Sequence, residues 1–265
     1  MSHLSTHHIH KQSKAVSHSC VGCKNTIELD FDFEYAFQPI VDVSTKAIFA
    51  HEALIRGPNG EGAHTILSKV NNDNTYRFDQ ACRVKAVKSA AELKLKEMLS
   101  INFMPNAVYR PELCISTTLA AAKKYNFPAN NIIFEFTEQE IIKDTKHLIN
   151  IVNEYKKLGF KTVLDDFGAG YAGLNLLASF QPDIIKIDMD LIRDLDTSKS
   201  RRIITKAVTR MCEELNVLVI AEGIETTAER DVLVDFGINL FQGYLFCKPA
   251  FMAKGVVDPK SWCDT

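Results

Sequence analysis

A (β/α) barrel with an antiparallel start is the fold class this sequence predicts, with an open doubly wound sheet as the alternative. Three observations carry it. Short apolar runs alternate with helix-like stretches over most of the chain. The first two runs are joined too tightly for anything but a hairpin. At 265 residues, with 46% hydrophobic and 24% charged, the chain is long enough for one large α/β domain.

In order along the chain, residues 1–26 are polar and carry five of the eight histidines (His3, His7, His8, His10 and His18). Such a segment predicts a mobile tail ahead of one domain spanning 27–265. "AFQPIVDV", a Ser44-Thr45 turn and "AIFAHEAL" form the antiparallel pair. Thr75 to Met98 places Val84, Val87 and Ala91 on a helical repeat, and "LSINF" follows as a strand. The later strands are "NIIFEF", "KTVLDD", "DIIKID", "VLVIAE" and "NLFQ". Eight strands result, six of them in a βα rhythm.

The formal net charge of −2 and pI of 6.5 leave no basic field for long nucleic acid. No apolar run approaches the roughly 20 residues that span a bilayer, and the N-terminus lacks an apolar secretory core. A cytoplasmic protein without membrane attachment is the expectation. The seven cysteines are odd in number and too sparse for a disulfide scaffold, and Cys82 and Cys114 fit small buried apolar positions. Cys20 and Cys23 have metal-like spacing, with His18 as a third candidate, but a single pair is half a zinc site and ordinary thiols explain it.

Barrel active sites form at the C-terminal strand ends. There the sequence places Glu52, Asn102, Glu135, Asp165, Lys186, Asp188, Glu222 and Gln242, each interrupting or closing an apolar run. Lys186 and Asp188 are two apart and share the inward face, while Ile185 and Ile187 face the helices. His51, beside Glu52, faces the opposite side of its strand. Any one inward carboxylate is explained by an ion pair. Glu52, Glu135, Asp165, Asp166 and Glu222 against few cations, mainly Lys186 and Arg56, require neutralisation, and hard divalent cations with oxygen ligands supply it. An aspartate after a strand commonly opens a turn. Adjacent aspartates at a strand end can also serve two neighbouring metals suited to displacement at phosphorus, and Gly168 and Gly170 permit a sharp turn.

With those residues in view, the segments "FQPIVD", "EALIRG", "INF", "FEFTE", "DDFGAGYAGL", "DIIKID", "AEGIET" and "FQGYLF" resemble, in order, the EAL-domain family of cyclic di-GMP phosphodiesterases. The resemblance covers roughly residues 28 to 255. It implies a modified TIM (β/α)8 barrel with an antiparallel first strand that opens cyclic di-GMP to linear pGpG with two Mg²⁺ or Mn²⁺ ions. By the same resemblance, Glu52, Asn102, Glu135 and Asp165 ligate one metal, and Asp165 bridges to a second held also by Asp166. Glu225 and Gln242 support that second metal. Lys186 orients the attacking water and Glu222 is the general base or a water-mediated ligand. Arg56 grips the phosphate, Gln38, Asp188 and Gln242 lie on the substrate side, and Glu138 tethers the glycine-containing loop. The family commonly pairs as a homodimer near Asp166 to Asn175, and a regulatory protein partner is compatible with it.

Two departures stand out. Asn102 is followed by Phe103-Met104 where the family often has a serine two residues on, and Ala172-Gly173 replaces a usual serine pair. "NFMPNAVY" with "PELC" resembles the subgroup found beside blue-light sensor domains, though no sensor is foreseen in this sequence. The competing reading is a non-catalytic nucleotide-binding or protein-interaction module, since some relatives have lost the metal site. Retention of the full ligand set argues against it, and the eight ordered segments argue against an unrelated metal-dependent lyase.

Overall fold

The computed structural model describes residues 28–137, 144–170 and 173–262. The histidine-rich tail, Cys20, Cys23, Glu138, Tyr171 and Ala172 lie outside the described residues.

Strands β1 (Glu34–Asp42) and β2 (Ala47–Arg56) form the antiparallel pair. In the turn between them Asp42 Oδ1 accepts from the Ser44 amide (2.9 Å) and the Ser44 hydroxyl (2.6 Å). After the one-turn helix α1 (His64–Leu67) comes α2 (Thr75–Glu92), and then β3 (Met98–Asn102). Helix α2 is shorter than the Thr75–Met98 periodicity predicts. Leu95 N–H turns back to the Ala90 carbonyl (3.0 Å) around Lys94 at φ 55°, and Met98 already belongs to β3.

The alternation continues through α3 (Pro111–Lys124), β4 (Ile132–Thr137), α4 (Thr145–Lys157), β5 (Lys161–Phe167) and α5 (Gly173–Ser179). Strand β6 (Ile184–Ile187) leads into the single-turn α6 (Met189–Ile192) and the long α7 (Lys199–Glu214). The remainder is β7 (Leu218–Ala221), α8 (Thr227–Asp235), β8 (Leu240–Phe241) and the short β9 (Ala250–Phe251). Helix α8 begins with a reciprocal cap: Glu229 N–H donates to the Thr226 hydroxyl while the Glu229 carboxylate accepts from Thr226 N–H.

Pairing runs in parallel from β2 through β8, and β1 closes the ring against β2 and β8, antiparallel to both. The result is a closed eight-stranded α/β barrel of modified TIM type, as the sequence predicts. β9 pairs with the other stretch of β1.

Strand alternation sorts the side chains. Residues facing outward pack against the helices in one large core that includes Phe37, Leu99, Phe134, Leu164, Ile185, Ile187 and Phe241. Inside the barrel, Ile40, Ala50, Ile133, Val163, Ile184, Ile220 and Leu240 form a separate apolar floor. His51, 1% exposed, sits outside the ring as packing, its imidazole kept neutral by burial. Cys82 and Cys114 are buried free thiols, as their sequence positions predict.

Candidate active site

Two residues further along each strand from that floor, the inward face becomes polar. Ile133 is followed on the same face by Glu135, Val163 by Asp165, Ile184 by Lys186, Ala50 by Glu52, Ile220 by Glu222 and Leu240 by Gln242. Because β1 runs the other way, its contribution is Gln38, two residues before Ile40 and directly opposite Glu52. Gln38, Glu52, Glu135, Asp165, Lys186, Glu222 and Gln242 therefore form one layer above one floor.

At the centre stands Lys186, 1% exposed. Its Nζ lies 2.6 Å from Glu222 Oε1, 3.1 Å from Glu135 Oε2, 3.2 Å from Asp165 Oδ1 and 3.3 Å from Glu52 Oε2. One ammonium thus faces four carboxylates. Amides complete the layer: Gln242 Nε2 donates to Glu52 Oε2 (2.8 Å) and Gln38 Oε1 (3.1 Å), and Asn102 Nδ2 donates to Glu52 Oε1 (2.9 Å). Gln38 Nε2 is in turn held by the Cys247 carbonyl (3.1 Å).

A single cation cannot satisfy four buried carboxylates equally. Burial pushes the Glu135 carboxyl up to about 8 against the pull of Lys186, with Glu52 and Asp165 adding to the rise. Asp165 is raised mainly by burial and Glu222 well above its ordinary range for the same reason. Glu52 is the exception. Burial would raise it, but the Lys186 charge and hydrogen bonds from Gln242, Asn102 and Lys186 hold it below the ordinary value. For Lys186, burial is outweighed by the surrounding carboxylates, which keep the ammonium charged.

The adjacent aspartates reach this layer by a backbone irregularity. Between Leu164 and Phe167, β5 uses three steps where β6 uses two, so the ladder carries a bulge. Asp166 sits in it at φ 54°, and its N–H donates to Asp165 Oδ1 (2.9 Å). Regular alternation would send consecutive side chains to opposite faces. The bulge instead brings both carboxylates to one mouth, where burial and the neighbouring Asp165 and Asp188 push Asp166 up to about 6.

Two carboxylate triads follow from this arrangement. Glu52, Glu135 and Asp165 offer oxygens within 4.8 Å of one another, as do Asp165, Asp166 and Glu222, and Asp165 is common to both. The Gln242 amide oxygen is buried without a hydrogen-bond partner among the described residues. All-oxygen donors, excess negative charge and a shared central carboxylate fit a pair of hard divalent cations.

A cavity of about 330 Å³ opens over the layer, lined by Asp166, Asp188 and Glu225 as well as the central residues. Asp188 caps α6, its Oδ1 accepting from Asp190 N–H (2.8 Å). Glu225 stands on the exposed rim, paired with Arg193 at 2.9 Å and outside both triads. Arg56 and Asn102 line a second, more apolar cavity that meets the first at Leu54. Gly243 lets β8 approach the segment after Glu222 closely, for a Cβ there would lie 2.1 Å from the Ile224 carbonyl oxygen.

Residues that sequence reasoning passed over also matter. The Ser100 hydroxyl donates to the Glu135 carboxylate, and it lies two residues before Asn102 on the inward face of β3, a position alternation alone identifies. Met189 and Tyr244, 43% and 56% exposed, stand at the mouth. Nothing in their local pattern marks them.

Comparison with known proteins agrees with this geometry. The model of the EAL domain matches residues 24–249. BluF of Escherichia coli K12, a blue light- and temperature-regulated antirepressor, is 34% identical over 215 residues, which are 81% of this chain and 53% of BluF. The cyclic di-GMP phosphodiesterase PdeR of the same organism is 36% identical over 127 residues, or 48% of this chain and 19% of PdeR. This chain thus spans about half the length of BluF and matches a much smaller share of PdeR. A standalone EAL protein from Vibrio cholerae O395, solved in its c-di-GMP-bound form, superposes with a TM-score of 0.86 at 53% identity. That match covers 89% of this chain and 100% of the other. BlrP1 of Klebsiella pneumoniae, solved at pH 9.0 as a manganese/cy-diGMP complex, gives 0.79 at 34% identity over 88% of this chain and 59% of BlrP1. By fold and by these matches, the chain belongs to the EAL domain family.

Proposed function

We propose that this chain is a metal-dependent phosphodiesterase that hydrolyses cyclic di-GMP to linear 5′-pGpG, lowering a bacterial second messenger in the cytoplasm. The observation that carries the reading is the pair of carboxylate triads sharing Asp165 beside Lys186. Relatives named cyclic di-GMP phosphodiesterases and c-di-GMP-bound structural neighbours support the substrate.

Glu52, Asn102, Glu135 and Asp165 would hold one Mg²⁺ or Mn²⁺, and Asp165 with Asp166 the second, supported by Glu225 and Gln242. When bound, the two ions invert the local field so that an anionic diester can enter, acidify a water and stabilise the leaving oxygen. The rest is the work of side chains. Lys186 Nζ, 2.6 Å from Glu222 and 3.2 Å from Asp165, would orient the attacking water. Glu222, held 2.6 Å from Lys186 Nζ and within reach of Asp165 and Asp166, is placed to accept that water's proton. The water oxygen bonds to phosphorus, the bond from phosphorus to the 3′ oxygen breaks, the leaving oxygen takes a proton from solvent, and a 5′-phosphate and a 3′-hydroxyl result. Arg56 grips the phosphate, Gln38, Asp188 and Gln242 fix the nucleotide, and Glu138 steadies the loop after β5. A homodimer paired near Asp166 to Asn175 belongs to the same reading, and Leu174 there is 63% exposed.

A second reading, a non-catalytic nucleotide-binding or interaction module, is favoured by one observation: the relative BluF is named an antirepressor. One experiment separates them. Purified protein incubated with Mn²⁺ and cyclic di-GMP should yield pGpG on chromatography. Tight binding of intact cyclic di-GMP without product would establish the second reading.

A further inference from the structure

Beneath the exit of β3 lies a buried charged group that the chemistry above does not use. Arg83 on α2 is fully buried, and its Nη2 is 2.8 Å from Asp79 Oδ2, one helical turn earlier. Its Nη1 donates to the Tyr155 hydroxyl of α4 at 2.6 Å. The guanidinium carbon lies 5.1–5.8 Å from the ring centres of Phe134, Phe103 and Tyr155. Asp79 has a second duty, because its Oδ1 accepts from the Met104 N–H at 3.0 Å. The preceding amide, that of Phe103, donates to the Glu135 carbonyl at 2.9 Å. Both backbone donors following Asn102 are therefore held, one by the barrel and one by this network.

Stability alone is a poor reason for such a group, since the desolvation cost of a buried ion pair commonly matches its attraction, and apolar replacement is often neutral. Position is the better reason. Asn102 is an exposed residue at the end of β3, so its placement against Glu52 depends on where the backbone leaves the strand. We infer that Arg83 is a positioning residue: through Asp79 and the Met104 amide, with its guanidinium packed over Phe103, it fixes the β3 exit and presents the Asn102 side chain to the Glu52 triad. This rests on the metal-dependent reading above for the role of Asn102, and on the observed contacts for the rest.

The test uses the full chain, with Arg83→Lys and, should that variant fail to fold, the milder Tyr155→Phe. Mn²⁺ affinity is measured without substrate from the electron paramagnetic resonance signal of free Mn²⁺, and amide hydrogen exchange is followed on the metal-free protein. Supporting partners of ligands commonly affect affinity 10- to 100-fold, so a loss of about five-fold or more in Mn²⁺ affinity is expected for either folded variant. Met104 should exchange at least about ten-fold faster while the barrel-floor amides of Ile133 and Val163 keep their parental rates. Unchanged Mn²⁺ affinity in a folded variant, or exchange accelerated equally at Met104 and the floor, overturns the inference and leaves Arg83 a packing residue. A parent that binds Mn²⁺ but makes no pGpG overturns the proposed activity while this comparison still decides on Arg83. A parent that binds no Mn²⁺ overturns the metal reading, and the exchange comparison then decides alone.

Discussion

The floor and the polar layer of the barrel are built by the same strands, two residues apart, yet they obey opposite rules. Ile40, Ala50, Ile133, Val163, Ile184, Ile220 and Leu240 exclude water and make no electrostatic demands. About 7 Å above, a two-residue rise, Glu52, Glu135, Asp165 and Glu222 crowd around Lys186 with more negative charge than one ammonium can balance. The floor contributes to folding through the apolar area it removes from water. The layer opposes folding until something neutralises it, and that conflict sets it apart from the floor and motivates the metal-dependent reading proposed above.

The largest break in this contrast should come from Lys186→Met. Removing one partner from a buried charge group typically costs about 3–5 kcal/mol, because the carboxylates keep their desolvation cost and lose their counter-charge. Urea unfolding of the metal-free variant at pH 8 should show that loss, and pGpG formation should fall by at least about 100-fold with the water no longer oriented. Saturating Mn²⁺ should recover more stability in the variant than in the parent. A metal-free Lys186→Met as stable as the parent would mean that proton uptake alone balances the layer.

Ile133→Ala probes the other side. It leaves a hole in the floor directly beneath Glu135, and large-to-small changes at such sites cost about 2–4 kcal/mol. Turnover at a temperature where the variant is folded should stay within a few-fold of the parent. An activity loss as large as that of Lys186→Met, without comparable unfolding, would show that the floor sets the height of the carboxylates and is not merely their support.

How much of this contrast was legible in the sequence depends on which interaction decides each position. The hairpin, the barrel and the inward polar residues were, because period-two alternation is local and needs no partner: Lys186 with Ile184 behind it reads the same in sequence and in space. The end of α2 was not, because the apolar periodicity runs on to Met98 while the Lys94 turn and the pairing of Met98 with Ala50 stop the helix earlier. The site shows the same division. Glu52, Glu135, Asp165, Lys186 and Glu222 announced themselves at strand ends. The way Asp166 joins them did not, because it depends on a register slip against β6. Asp79 and Arg83, in "FDQACR", are an i,i+4 pair that reads as a solvated helix face, and only packing against Tyr155 and Phe103 reveals them as buried.

Within the polar layer, Glu52→Gln and Glu222→Gln should separate binding from chemistry. Both keep the side-chain shape. Glu52→Gln removes an anionic oxygen from the first triad and should weaken Mn²⁺ binding by about ten-fold or more. Glu222→Gln, which touches only the second triad, should weaken binding less than Glu52→Gln does while lowering turnover by about 100-fold, the usual scale for a lost general base. Calorimetric titration with Mn²⁺, set beside single-turnover hydrolysis, makes the distinction. Equal losses of affinity would make Glu222 a ligand rather than the base.

The smallest effect is expected at Asp166, where the two layers' logic meets in a half-exposed residue. Its carboxyl is raised from 3.8 to about 6, first by burial and then by Asp165 and Asp188. A raised pKa means that the folded chain holds the proton more tightly than the unfolded one. Stability contributed by this group is therefore present at pH 4 and is lost as pH rises through about 6. Asp166→Asn removes that dependence at nearly constant shape and keeps a residue tolerant of the left-handed φ of 54°. After discounting for solvent screening at a half-buried site, the metal-free variant should be more stable than the metal-free parent by about 1 kcal/mol at pH 7.5, with the gap closing toward pH 4. Saturating Mn²⁺ should shrink or reverse the gap, because the parent gains more binding free energy on folding. A metal-free Asp166→Asn that melts below its parent at pH 7.5 would assign Asp166 to holding the bulge, with its charge incidental to the carboxylate crowding around Asp165.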